Sequence, residues 1–86
     1  MKTKNLNGNY NVVGHNIKKY RELNNLSQRE LSDKLSLYGI SLLHSDISRI
    51  ESLKLFVRDY ELRIICKILN VNLEQIYENT DQFFDF

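Results

Sequence analysis

Four polar side chains, His44, Ser45, Ser48 and Arg49, recur at spacings of three and four, which on an α-helix sets them on or near one side. They offer an imidazole, two hydroxyls and a guanidinium, and the arginine fork is the side chain best shaped for the O6/N7 acceptor pair of guanine. His44 can donate to an acceptor or pack against a base, whereas Ser45 and Ser48 are short and unspecific. Asp46 sits awkwardly among them. A carboxylate is repelled by phosphates, so it is better explained by a favourable charge at a helix N-terminus. Further on, Lys54 and Arg58 flank a connector from which both could grip a phosphate backbone. Lys18 and Lys19 could add charge, although lysine runs are usually solvated helix faces. For each of these residues the plain alternative is a solvated surface group.

The elements that position these groups follow from periodicity and capping signals. Ser27 is placed to cap a helix, with Glu30 three residues on to complete a capping box, and Leu31 and Leu35 then share a face. After a break at Gly39, Ile47 and Ile50 mark the buried side of the helix that carries the polar set. Two helices locked by a few apolar residues, with a polar face left open, fit a helix-turn-helix reader of the major groove. Around this pair, Ile17, Tyr20 and Leu23 predict a helix over about 14–23 that ends at Asn24-Asn25. The second helix is expected over about 28–36 and the third over about 43–52. Leu62, Ile65, Cys66 and Leu69 form the inner face of a fourth, over about 60–69. Asn70-Val71-Asn72 makes the next break, and Asn72 with Gln75 predicts a capped fifth helix with Leu73, Ile76 and Tyr77 inward. Residues 1–13 are Asn-rich and read as a mobile arm, 14–78 as one all-α domain of five short helices, and 79–86 as an acidic-aromatic tail. The tail phenylalanines Phe83, Phe84 and Phe86 leave three options open: disorder, folding onto the domain, or a dimer contact.

Composition bounds the rest. The chain has 86 residues, 42% hydrophobic and 27% charged, the profile of one small globular domain rather than a disordered segment. Its net charge of +1 hides a polarity. Residues 1–60 carry ten Lys/Arg against six Asp/Glu, and residues 61–86 carry two against five. Phosphate-seeking charge can thus lie on one side of the fold. Cys66 is the single cysteine, so no internal disulfide is possible and a reducing cytoplasm is the expected compartment. On the apolar face of a helix it reads as core filler. No apolar run approaches the length needed to span a bilayer, and the N-terminus lacks the apolar stretch of a signal peptide. His15 and His44 give no zinc-ligand spacing, and no phosphate loop or catalytic triad signature appears, so no metal, cofactor or enzymatic activity is expected.

The segments IKKYREL (17–23), LSQREL (26–31), DISRIE (46–51) and ELRIICKILNVNLEQIY (61–77), in this order and at these intervals, resemble the lambda-repressor-like DNA-binding domains of the Cro and XRE type. The resemblance covers about residues 14–77. It implies base contacts from His44, Ser45, Ser48 and Arg49, and a phosphate clamp at Gln28 at the start of the second helix. It also implies a structural ion pair between Arg21 and Glu51 that locks the recognition helix to the scaffold. Three departures stand out. The stretch between the second and third helices, LSLYGISLLH (35–44), is longer than the family's usual turn. Leu43 occupies a usual polar cap position, so either Ser41 caps an earlier start or Leu43 is exposed. Ser52-Leu53 stands where the family carries Asn-Gly, although a left-handed turn is harder without glycine. The resulting expectation is a non-catalytic transcriptional repressor that binds double-stranded DNA as a homodimer on a two-fold symmetric operator. Its rival is a protein-interaction module, an antitoxin or adaptor using the same helical surface.

Overall fold

The computed structural model describes residues 6–85. Among these, five α-helices and a closing 3-10 turn make up a compact domain without a strand: α1 (Gly14–Leu23), α2 (Gln28–Ser36), α3 (His44–Glu51), α4 (Asp59–Leu69), α5 (Leu73–Ile76) and the 3-10 turn Thr80–Phe83. α3 packs against α2 and α1, α4 lies across the same two helices, and α5 returns to α1. Ile17, Leu31, Leu35, Ile47, Ile50, Ile65, Leu69 and Ile76 are sealed in the shared core. Each such side chain contributes about 1.5–3 kcal/mol by leaving water.

Local chemistry sets the helix ends. At α2 the Ser27 hydroxyl accepts from the Glu30 N–H at 3.0 Å, and the Glu30 carboxylate accepts from the Ser27 N–H at 2.8 Å. These bonds hold the Glu30 carboxyl below its ordinary pKa, the backbone bond first. Asn72 and Gln75 make the matching reciprocal pair at α5, at 2.8 and 2.9 Å. At α3 only half of such a box exists, because leucine has no acceptor: the Asp46 carboxylate takes the Leu43 N–H at 2.9 Å. Leu43 itself stays 64% exposed. The helix therefore starts where a leucine cap was expected, and Asp46 is the group that satisfies it.

Four helices end in one way, through a residue with left-handed backbone and a six-to-one bond across the last turn. The residues are Asn25, Gly39, Leu53 and Asn70, with φ of 57°, 80°, 65° and 58°. For α3 the Lys54 N–H donates to the Arg49 carbonyl at 2.8 Å and the Leu53 N–H to that of Ile50 at 3.0 Å. Asn and Gly take this conformation readily; a leucine there costs roughly 1–2 kcal/mol. Leu53 is 5% exposed, so burial of its side chain offsets that strain.

Several expectations are corrected. Residues 10–13, read as part of a mobile arm, are bonded to the domain or packed on it, and residues 6–9 form a local turn; residues 1–5 lie outside the described residues. Tyr10 donates its N–H to the Leu53 carbonyl at 2.9 Å, and Val13 is buried. Leu73 and Tyr77, expected inward, are exposed, and so is Leu23 of the first apolar row. On α1 the buried residues are Gly14, Ile17 and Arg21, and α5 is so short that only Ile76 reaches the core. The tail through Phe83 folds onto the domain: Thr80 is buried and the Phe83 ring lies 6.2 Å from that of His15. Phe86 lies outside the described residues. Cys66 is in the core as expected, and burial pushes its thiol up.

Candidate nucleic-acid interface

α3 divides cleanly into two sides. Ile47, Ile50 and Glu51 face inward, whereas His44, Ser45 and Arg49 are exposed and Ser48 is half-buried. None of these four side chains makes a hydrogen bond or ion pair among the described residues. The exposed side therefore presents uncommitted donors, including the whole guanidinium fork of Arg49.

The inward side is anchored by charge. The Arg21 Nε donates to Glu51 Oε2 at 2.6 Å and Nη2 to Oε1 at 3.0 Å, a two-pronged ion pair whose side chains are 8% and 3% exposed. Arg21 Nη1 donates to the Leu26 carbonyl at 2.6 Å, which ties the same guanidinium to the α1–α2 turn. The hydrogen bond to Glu51 raises the Arg21 pKa, so the guanidinium keeps its charge in the interior. Gln28 joins this pair, with Nε2 donating to Glu51 Oε1 at 3.0 Å. One carboxylate at the end of α3 thus holds α1 through Arg21 and α2 through Gln28. The ion pair inferred between Arg21 and Glu51 is present; the bond from Gln28 was not expected. Because the amide carries two hydrogens, one remains for another acceptor.

The basic candidates divide. Lys54 is exposed, has no side-chain partner among the described residues, and lies one residue past the left-handed turn that ends α3. Arg58 is drawn toward its own helix, with Nη1 at 3.2 Å from Glu61 Oε2, but stays largely in solvent. Lys18 is exposed on α1 without a partner among the described residues. Lys19 is held by Glu78 at 2.6 Å, and Tyr20 donates to the same carboxylate at 3.0 Å.

Two asparagines outside the candidate set turn out to be structural keys. Asn11 Oδ1 accepts from the Val13 and Gly14 N–H groups at 3.0 and 2.7 Å, which caps α1. Its Nδ2 donates to the Ile50 and Leu55 carbonyls at 3.0 and 2.9 Å, pinning the end of α3 and the segment that carries Lys54. Asn16 likewise bridges α1 to the Ile76 and Glu78 carbonyls at 2.8 and 2.9 Å. The Asn11-x-x-Gly14 spacing was a visible capping signal; the long-range half of either bridge had none. In the longer α2–α3 connection, Ile40 and Leu42 are buried and the Ser32 hydroxyl holds the Leu42 carbonyl, while Leu37 and Tyr38 are exposed.

Among the described residues no His, Cys, Asp and Glu cluster could hold a metal, and no helix is long and apolar enough to cross a membrane. Comparison of the chain with protein-family models, with curated proteins and with solved structures found no match.

Proposed function

We propose that this protein is a sequence-specific double-stranded-DNA-binding transcriptional regulator, a repressor, in which α2 and α3 act as a helix-turn-helix and α3 enters the major groove. The observation that carries this reading is the solvent side of α3. An exposed arginine with imidazole and hydroxyl neighbours, none engaged elsewhere, sits on a helix locked from behind by a buried ion pair. Arg49 takes guanine through its fork, and His44, Ser45 and Ser48 line the neighbouring base edges. The N-terminus of α2 offers free N–H groups to a phosphate, with the second amide hydrogen of Gln28 beside them. Lys54 and Arg58 hold the backbone beyond α3. A lone eight-residue helix makes few base contacts, so selectivity calls for a homodimer on a two-fold symmetric operator.

Selection of bound duplexes from a random library at near-physiological salt tests the reading. Enrichment of a palindromic sequence is the expected result. Arg49→Ala should relax preference at one position per half-site, and Lys54→Ala should weaken binding across sequences and lower the salt slope by about 1. Absence of enrichment with folded protein refutes it. The second reading, a protein-interaction module, is favoured by the exposed Leu37, Tyr38 and Leu43 beside α3, an apolar strip that phosphate contacts do not use. Binding that ignores salt would support it.

A further inference from the structure

An apolar depression to which α3 contributes no residue runs beside α4. One groove of about 490 Å³ is walled by Tyr10, Val12, Val57, Tyr77 and Phe84. A second, of about 400 Å³, continues from it over the shared residues Val57, Leu62 and Tyr77 to Leu73, Asp59 and Arg63. Phe56 extends the rim, its ring edge-on to Tyr10 with centroids 5.0 Å apart.

Leu73 is 62% exposed, and Tyr10, Phe56, Tyr77 and Phe84 each leave more than a third of their surface in water. Taking a large side chain as 150–250 Å², these five expose roughly 400 Å² of mostly apolar surface. A stable interface buries about 800 Å² per partner, of which about 55–65% is apolar. The patch and its half-buried floor therefore come close to what one partner must contribute. The charges at its edge are self-complementary. Asp59 and Arg63 stand one turn apart on α4, and neither has an ion-pair partner among the described residues. Two antiparallel copies of α4 would set Arg63 of each against Asp59 of the other, as a two-fold contact requires.

We propose that this groove is the contact surface between two copies of this chain, joined about a two-fold axis beside α4. The proposal rests on the dimer reading above and not on DNA binding. No residue of α3 lines the groove, and Phe56 and Val57 follow Lys54 within three residues. A contact in this groove therefore leaves the polar face of α3 open.

Sedimentation equilibrium of the whole protein without DNA, at about 1–200 µM, tests this. Wild type should dimerise, and Leu73→Glu should raise the dissociation constant at least about tenfold. Asp59→Lys should weaken the dimer, and adding Arg63→Glu should restore it, with circular dichroism showing every variant folded. A wild-type monomer throughout overturns both the dimer reading and this surface, and leaves the groove to a different partner. A wild-type dimer unaffected by Leu73→Glu and not rescued by the charge exchange overturns the surface alone.

Discussion

Glu51 is the residue on which the geometry makes the strongest quantitative claim. Its carboxylate receives three donors, two from Arg21 and one from Gln28, in a site where both charged side chains are nearly sealed from water. Glu51→Gln removes the charge and turns an amide N–H toward the Arg21 fork. The guanidinium is then buried and uncompensated, a change that costs about 3–5 kcal/mol. A domain of this size has only about 4–13 kcal/mol in total, so roughly a quarter or more of its stability goes. At about 4–8 °C per kcal/mol, the melting temperature should fall by at least about 12 °C. The double variant Arg21→Met, Glu51→Leu should behave differently, since it leaves no unpaired charge. Its remaining losses are one bond to the Leu26 carbonyl and the partner of Gln28, each near 1 kcal/mol. Urea denaturation of Glu51→Gln gives its cost, and that of the wild type, Arg21→Met, Glu51→Leu and the double variant measures the coupling. If Glu51→Gln costs less than about 1 kcal/mol, or if the single losses simply add, the pair is not the buried lock described here.

Gly14→Ala separates local propensity from packing. In an isolated helix the change gains about 1 kcal/mol, yet here the new methyl group would collide with the Ile50 carbonyl oxygen and press on Leu53. Denaturation should show a net loss of about 1–3 kcal/mol, and a stabilised variant would contradict the close approach of α1 to α3. Leu53→Gly relieves roughly 1–2 kcal/mol of backbone strain but deletes a buried side chain worth about 2–5 kcal/mol. The variant should be less stable, and equal stability would mean that the leucine contributes nothing by its burial. Acid should loosen the clasp between α1 and the segment after α5. The Lys19 and Tyr20 hydrogen bonds hold the Glu78 carboxyl below its ordinary pKa. A lowered folded pKa contributes stability above the unfolded value that is lost as pH falls through the folded one. Unfolding followed below about pH 4 should therefore show a smaller pH dependence in Glu78→Gln than in wild type, and identical slopes would refute the assignment.

The helix ends were legible wherever a cap closes within a few residues of chain. Ser27 with Glu30, Asn72 with Gln75, and the left-handed stops at Asn25, Gly39 and Asn70 need only their own neighbours, so residue type and spacing determined them. The apolar rows Leu31/Leu35, Ile47/Ile50 and Leu62/Ile65/Cys66/Leu69 were readable for the same reason, and they left His44, Ser45 and Arg49 on the outside of α3. Burial of a particular side chain was another matter. Leu23 and Leu73 carry the same apolar signal as Leu31, yet they stay in water because no element of the fold covers them. Only the meeting of α1 and α2 with the end of α3 decided that Leu53 would bear a left-handed backbone, that Asn11 would span 39 residues to the Ile50 carbonyl, and that Gln28 would turn its amide to Glu51. A capping bond is a property of a few consecutive residues. A buried contact belongs to two surfaces, and their match exists only once the chain has brought them together.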